Sequence, residues 1–426
     1  MAGFKDLKGQ GHTATLFMAF LYFDMSFMVW TMLGPLSTEI AEALALTGHI
    51  LTASEKATLL SLPILSGAIL RIVLGFGVDK LGAKTTALIS QSIVIASLLT
   101  AYFLGDSITY NQLLIVALGL GFAGASFAVA LPQAGQWYPP KLQGVVLGIA
   151  GAGNIGVVID FLFAPKIAEL WGWASVFGVG AFMAIVVFVA YFFLAKDAPK
   201  SVYKSNPKKL SDYGKLLKDK DTWWFSLFYA VSFGGFVGFA GYMKVYLMNT
   251  YQVDMAAFGL DVLDESNVKV IAGYFGALCI FAGAILRPVG GNIADKIGGV
   301  KSLYFFYGVV ALLAIINATV QLPFFVAIFV LFLTMASLGM ANGAVFQLVP
   351  QRFGKDIGIM TGIVGCAGGL GGTALIQTLG WSKGAFDGYT TGFLIFAIVV
   401  VIAISGISLV KTRWRTTWGV TAGGRI

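Results

Sequence analysis

The chain has few charged residues and almost no cysteine. Only 11% of its 426 residues are Asp, Glu, Lys or Arg, whereas a soluble domain carries about 25%. With 58% hydrophobic residues, this shortage excludes an ordinary water-soluble protein. The two cysteines, Cys279 and Cys366, lie in apolar runs without metal-ligand spacing. We interpret them as packing residues, and the sequence predicts no metal site.

The net charge of +8 does not indicate a nucleic-acid binder. Such proteins concentrate basic residues on one soluble face. Here Lys and Arg occupy the short segments between apolar runs, which is typical of membrane topology. We therefore expect the lipid bilayer, and no nucleic acid, to surround the chain.

Runs of about 20 apolar residues predict transmembrane helices. The sequence contains twelve such runs, and we predict an all-α membrane protein with six helices in each half. The predicted helices are 15–35, 57–78, 85–104, 112–134, 144–165, 174–195, 222–248, 268–293, 302–321, 323–347, 358–380 and 389–410.

One long polar stretch, 196–221, separates the sixth predicted helix from the seventh and contains eight lysines. It predicts a cytoplasmic linker between an N-terminal half, 1–195, and a C-terminal half, 222–426. Its lysines could also meet anionic headgroups at the membrane surface.

The distribution of Lys and Arg between loops predicts the orientation. With both termini in the cytoplasm, 21 of the 28 basic residues fall on the cytoplasmic side, four fall outside, and three lie within predicted helices. Cytoplasmic loops carry this excess in membrane proteins. We therefore expect a multi-pass protein of the cytoplasmic (inner) membrane.

One stretch of sequence occurs twice, at an offset of 216 residues. Residues 67–82 read GAILRIVLGFGVDKLG and residues 283–298 read GAILRPVGGNIADKIG. Each copy places one arginine, Arg71 or Arg287, within an apolar run. A guanidinium in the bilayer centre costs about 2.5–3.5 kcal/mol or more, so we interpret the pair as functional.

Each copy ends in a pattern that matches the loop motif of the major facilitator superfamily, G-x-x-x-D-K/R-x-G. The predicted role of this motif is conformational: its aspartate caps a helix and meets basic groups of the opposite half, which stabilises one gate state. The motif residues are Gly75, Asp79, Lys80, Gly291, Asp295 and Lys296.

The spacing places both arginines deep in the membrane. Arg71 precedes Asp79 by eight residues, which is about 12 Å along a helix. Glycines four residues before and after each arginine share its helix face, so that face should pack inward. The alternative pairs each arginine with a buried carboxylate, but only Asp24 and Asp160 lie within predicted helices, and Lys244 would compete for one of them.

Two guanidiniums near the midplane leave positive charge uncompensated, and a substrate anion could balance it. Their forked geometry suits planar or tetrahedral oxyanions by bidentate hydrogen bonding, which lysine does not reproduce. The sequence thus favours an anion site between the two halves.

Two glycine-rich stretches, 121–156 and 339–372, accompany the twin arginines. Together they resemble the nitrate/nitrite porter family of the major facilitator superfamily over essentially the whole chain. The resemblance implies nitrate or nitrite held between the arginines with aromatic rings above and below. It implies these anion-contacting residues: Arg71, Arg287, Asn154, Tyr229, Phe127 and Phe233, with a contribution from Phe27 or Trp30 on the first helix.

Intramembrane acids are functional candidates by default. Asp24, on the first predicted helix, is a candidate proton carrier or a counter-charge for one arginine in a resting state. Asp160 is a weaker candidate for the same role. It lies at a similar depth to Lys244, on the fifth and seventh predicted helices, so a structural ion pair between them is the alternative hypothesis.

We therefore expect a monomeric secondary transporter that moves nitrate and/or nitrite by alternating access, as an exchanger or with protons. Two alternatives remain: a facilitator of the same fold for another small oxyanion or organic acid, and a nitrate-binding membrane sensor. The sequence shows no nucleophile–base pair and no group of metal ligands, so we do not expect an enzyme. The GxGxxG match at 151–156 lacks the strand that a dinucleotide fingerprint needs, so no cofactor is expected.

Overall fold

The computed structural model describes residues 11–139, 142–199, 210–257 and 265–421. Within these ranges the chain is helical, and no residue lies in a strand. This agrees with the predicted all-α class, since a bilayer-spanning segment must satisfy its own backbone hydrogen bonds.

The first nine helices precede the linker. They are Thr13–Trp30 (α1), Ser37–Leu46 (α2), Ala53–Leu81 (α3), Ala83–Leu104 (α4), Tyr110–Gly124 (α5), Phe127–Gln136 (α6), Gln143–Ala150 (α7), Gly156–Trp171 (α8) and Trp173–Leu194 (α9).

The linker and the second half contain eight more helices. They are Leu210–Leu217 (α10), Lys220–Ala256 (α11), Glu265–Ile297 (α12), Gly299–Thr319 (α13), Phe324–Phe353 (α14), Ile357–Phe386 (α15), Thr390–Thr416 (α16) and Trp418–Thr421 (α17).

Eleven of the helical spans in the described residues are long and apolar enough to cross a membrane. The remaining predicted helix, 144–165, is present but broken: a 3₁₀ segment, Gly151–Ile155, separates α7 from α8. The fourth span also bends, between α5 and α6, at Ala125 and Ser126. The twelve-helix prediction is therefore confirmed in position, with two of the helices interrupted.

Close contact with α1 explains why the break in the fifth span is rich in glycine. A Cβ on Gly153 would lie 2.6 Å from the ring of Phe23, and one on Gly156 would lie 2.1 Å from the backbone oxygen of Asp24. Only glycine lets two backbones approach this closely. The contact fixes the height of the 3₁₀ segment against α1.

Three short helices of the described residues, α2, α10 and α17, lie outside the predicted spans. α2 follows α1 and carries Glu39 and Glu42, and α10 lies within the basic linker. The ring of Tyr213 in α10 stacks on Phe76 of α3 at 4.7 Å between centroids. Burial, together with the charge of Asp79, raises the pKa of Tyr213.

The bundle has two ends. We call the end where α9 finishes and α11 begins the linker end, and the opposite end the far end.

The two copies of the repeated stretch pack in the same way. In the first half, a Cβ on Gly121 of α5 would lie 2.7 Å from the backbone nitrogen of Gly67 on α3. In the second half, one on Gly339 of α14 would lie 2.0 Å from the backbone oxygen of Gly283 on α12. Each arginine is four residues after the packed glycine of its own helix. The internal repeat is therefore structural as well as sequential.

This packing predicts a large difference between two Gly-to-Ala changes. Gly339→Ala places a methyl group against backbone that has no room to move, which should destabilise the protein by about 1–3 kcal/mol. Gly308 lies in α13 with nothing within 4 Å of its Cβ position, so Gly308→Ala should be neutral or stabilise by up to about 1 kcal/mol. Thermal unfolding in detergent compares the two, and equal melting temperatures would contradict the packing.

Candidate functional site

Arg71 lies at the centre of the bundle and is 1% exposed. Its Nε donates to the backbone oxygen of Gly124 at 3.1 Å. That carbonyl is available because α5 ends at Gly124 and its last carbonyls have no partner within the helix. Nη1 donates to the backbone oxygen of Gly365 on α15 at 2.6 Å. The side chain thus bridges the two halves, while its Nη2 has no hydrogen-bond partner.

Arg287 occupies the matching place on α12 and is half-buried. Its guanidinium carbon lies 5.4 Å from the ring centroid of Phe346 on α14. Its charge is close enough to that of Arg71 to repel it. Among the described residues, no carboxylate pairs with either arginine. The alternative hypothesis, in which each arginine pairs with a buried carboxylate, is therefore wrong for the described residues.

Aromatic rings surround the Arg71 guanidinium on several sides. Its carbon lies 5.4 Å from the ring of Trp30, 5.6 Å from Phe127 and 5.1 Å from Phe233. These distances are in the range of cation–π contacts. Rings hold the charge without neutralising it, so the site keeps a net positive charge.

The ring of Tyr229 connects the rings around Arg71 with the ring beside Arg287. Its ring stacks on Phe233 at 5.0 Å with an interplanar angle of 4° and meets Phe346 edge-on at 5.0 Å. Phe346 also lies 6.3 Å from Phe127. The fold therefore brings Phe127, Tyr229 and Phe233 together with both arginines, as the sequence predicts.

Phe346 is the ring that the sequence analysis missed. The sequence holds a signal for it: Phe127 ends the tetrapeptide Gly124-Ala-Ser-Phe, and Phe346 ends Gly343-Ala-Val-Phe. Gly343 packs on the backbone of Arg287, much as Gly124 accepts a hydrogen bond from Arg71. Of the two first-helix candidates, Trp30 contacts Arg71. Phe27 instead packs against Trp30 at 4.9 Å.

Asn154 lies on the 3₁₀ segment between α7 and α8 and is 4% exposed. Its side-chain oxygen has no hydrogen-bond partner. A buried polar atom without a partner is costly. It therefore marks a place where a ligand or water can bind.

Asp24 and Asp160 both border the seam between α1 and α8. Asp24 is half-buried beside the backbone of Gly156, and its Oδ1 has no partner. Asp160 is 3% exposed, and its Oδ2 has none either. Neither carboxylate forms an ion pair with Arg71 or Arg287.

The direct ion pair expected between Asp160 and Lys244 is not formed. The ammonium of Lys244 is fully buried and contacts both carboxylate oxygens of Glu39, at 2.6 and 2.8 Å, and the backbone oxygen of Pro35 at 2.5 Å. Sequence analysis missed Glu39 because α2 lies outside the predicted spans. Asp160 interacts electrostatically with Lys244 but does not form a hydrogen bond or ion pair with it.

Contacts between the two halves concentrate towards the far end. Besides Lys244 and Glu39, the ammonium of Lys269 lies 2.5 Å from Glu42, and Gln377 donates to Ser61 at 2.9 Å. A Cβ on Gly380 of α15 would lie 2.3 Å from that of Ala57 on α3. The far end of the bundle is therefore closed.

The two copies of the loop motif lie at the linker end, in the last turns of α3 and α12. Each helix ends one residue before the final glycine of its motif, Gly82 or Gly298, whose φ is 86° or 100°. These angles favour glycine. The leading glycines differ: Gly75 lies 3.6 Å from the Tyr213 hydroxyl, counted from its Cβ position, whereas Gly291 lies 3.7 Å from the backbone oxygen of Gly343. The motif residues therefore occupy helix ends rather than loops.

Comparison with known proteins agrees with this architecture. The chain matches the model of the Major Facilitator Superfamily over residues 15–376. The solved structure of a bacterial homologue of the human lysosomal transporter Spinster, 18% identical, superposes with a TM-score of 0.68 over 94% of this chain and 97% of that one. This likeness confirms the major facilitator fold.

Closer relatives share the whole length of the chain. It is 31% identical over 408 residues to the "Probable nitrate/nitrite transporter NarK2" of Mycobacterium tuberculosis, covering 94% of this chain and 97% of the relative. It is 30% identical to the "Nitrite extrusion protein" of Bacillus subtilis, over 91% of each. With the "Probable nitrate/nitrite antiporter NarK1" of Thermus thermophilus the identity is 27%, over 91% and 89%.

The fold, the paired arginines and these full-length matches lead to one assignment: the chain is a multi-pass membrane transporter that belongs to the major facilitator superfamily and, within it, to the nitrate/nitrite porter family.

Proposed function

We propose that this protein carries nitrate and nitrite across the membrane by alternating access, binding one anion between Arg71 and Arg287. The observation that carries the proposal is the uncompensated charge of these two side chains. Both are held between the halves of the bundle, and neither pairs with a carboxylate among the described residues. The names of the full-length relatives point to the same substrates.

The surroundings of the arginines suit a small, flat and weakly hydrated anion. Nη2 of Arg71 is an unused donor, and the amide of Asn154 can donate to an anion oxygen. The rings of Phe127, Phe233 and Phe346 offer apolar faces, whereas a strongly hydrated anion would need more donors to replace its water. Tyr229 completes the group with a hydroxyl that can donate.

The charges also account for coupling. Closing an empty site would bury two repelling cations, which is unfavourable, whereas an anion between them removes the repulsion. Reorientation is therefore expected mainly with an anion bound, which produces nitrate/nitrite exchange. Uptake linked to protons needs a titratable group beside the site, and Asp24 is the candidate.

The closed far end defines one state of the transport cycle. The Lys244–Glu39 and Lys269–Glu42 pairs, both between the halves, stabilise this closure. The bundle must break them to admit substrate from that side, while Arg71 releases Gly365 on α15. In this proposal the motif turns around Asp79, Lys80, Asp295 and Lys296 act at the opposite gate, as their position at the linker end suits.

The distribution of basic residues supports the membrane orientation. Both termini and the linker 196–221 lie in the cytoplasm, the far end faces outward, and the protein works as a monomer of the inner membrane. In this orientation the closed far end is the outer gate. The halves 1–195 and 222–426 move against each other around the anion.

Replacing either arginine with lysine should abolish high-affinity binding although the charge is kept. Lysine loses the forked donors, and one charged hydrogen bond is worth about 1.5–3 kcal/mol, or a tenfold to about hundredfold rise in Kd. Arg71→Lys and Arg287→Lys are compared with Arg415→Lys, which changes an exposed residue at the linker end. Counterflow into nitrite-loaded liposomes measures the effect, with phosphate and carboxylates as competitors.

Near-normal nitrate affinity in either central variant would remove that arginine from the site. Preferred transport of phosphate or a carboxylate by the wild-type protein would assign another oxyanion or organic acid as the substrate.

Asp24→Asn should separate proton coupling from exchange. The amide cannot carry a proton, so uptake driven by a pH gradient should disappear, while nitrate/nitrite counterflow persists because the arginines are untouched. Both are measured in the same liposome preparation at two pH values. An unchanged pH dependence in this variant would exclude Asp24 as the proton carrier.

A further inference from the structure

The two carboxylates of the α1–α8 seam have a common arrangement. Asp160 follows Gly156 by four residues in α8, so the two share one helix face about 6 Å apart. The backbone of Gly156 contacts Asp24. Asp160 thus lies about one turn beyond Asp24, towards the far end. Each has a buried oxygen without a hydrogen-bond partner.

Few other charges face this seam. The helices α5, α6, α7 and α9 carry no charged side chain, and α8 adds only Lys166 and Glu169, which pair with each other at 2.6 Å. From the second half, Lys244 of α11 lies near Asp160. The charged, described side chains of α12 are Lys269, Arg287, Asp295 and Lys296; Lys269 is paired with Glu42, and the other three lie nearer the linker end.

At the outer end of the seam, Lys244 faces two carboxylates, Glu39 and Asp160, but bonds to only one of them. Lys244 is fully buried and engages both oxygens of Glu39. Asp160, 3% exposed, has no cation bonded to it among the described residues. An unpaired buried carboxylate is strongly disfavoured. With the far end closed, burial therefore favours the protonated form of Asp160, whereas the nearby charge of Lys244 favours release of the proton.

We propose that Asp160 is a proton-binding site and that Asp160 and Asp24 form a proton pathway along the α1–α8 seam, gated at its outer end by Lys244. This inference rests on the proposed function and deepens it, since it gives Asp24 a proton route towards the outer end. Both acids belong to the first half, so their spacing stays fixed as the halves move. Only Lys244 comes from the second half.

The pathway works in step with the outer gate. When the far end opens, Lys244 leaves Glu39 with the second half, and Asp160 takes a proton from outside water. When the far end closes, that proton is occluded. It then passes from the Asp160 carboxyl group through one bridging water to the Asp24 carboxylate, which lies nearer the linker end and releases it there. Asp160 lies about 6 Å along α8 from Gly156, the residue that contacts Asp24, and bridging water can span a separation of this order.

The test uses the full-length protein in liposomes that contain a pH-sensitive dye, with nitrate as the probe. Asp160→Asn should lose both nitrate uptake driven by an inward proton gradient and nitrate-dependent acidification of the lumen, down to the level of protein-free liposomes. Nitrate/nitrite exchange should persist. The matched control is Asp106→Asn, an acid-to-amide change at the far end that keeps an acceptor for Trp173, now 2.8 Å from Asp106. It should behave as wild type.

Proton-linked uptake in Asp160→Asn at the wild-type level would overturn the pathway. So would a wild-type protein that exchanges nitrate and nitrite without moving protons, although the proposed function would then stand. Absence of any nitrate or nitrite flux in the wild type would instead overturn the proposed function. If Asp160→Asn lacks exchange as well, Asp160→Glu decides: restored proton-linked uptake supports the pathway, and exchange without protons overturns it.

Discussion

Two guanidiniums between the halves of the bundle, one buried and one half-buried and neither with a carboxylate partner among the described residues, are the constraint on which the rest of the structure depends. An arginine cannot release its proton, and a charged group in the membrane interior is tolerated only where it has partners or a function. Arg71 satisfies part of its hydrogen bonding with the carbonyls of Gly124 and Gly365. Neither carbonyl cancels the charge, so the positive charge of Arg71 remains, and the proposed anion would balance it.

The glycines make that arrangement possible. Gly67 and Gly283 let neighbouring helices touch backbone to backbone, which holds the two arginine-bearing helices at matching heights. The interruption of the fourth span exposes the carbonyl that binds Arg71, and the interruption of the fifth carries Asn154. The same close packing against α1 that breaks the fifth helix also lines up Asp24 and Asp160. The positions of the candidate site, the α1–α8 seam and the outer gate thus depend on glycines, which allow the helices to pack closely.

Much of this could be predicted from the sequence, because membrane solvation imposes strong patterns. Twelve apolar runs and an internal repeat were enough to predict the helical architecture and to pair Arg71 with Arg287. The rings of Phe127 and Phe233 were added by the family resemblance. Two features could not be obtained this way. The contact of Lys244 with Glu39 joins residues 205 positions apart through a short helix that no hydropathy window predicts. The break at Gly151–Ile155 depends on a tertiary contact with α1. Phe346 could have been found from the sequence, but only by extending the comparison of the two halves beyond the arginines to the matching Gly-Ala-x-Phe segments.

The most direct test of the account is a structure of the protein determined with nitrate bound. We expect one anion between the guanidiniums of Arg71 and Arg287, in contact with Nη2 of Arg71 and edged by the rings of Phe127, Phe233 and Phe346. An anion bound elsewhere, or either arginine paired with Asp24 or Asp160 while nitrate is present, would contradict it.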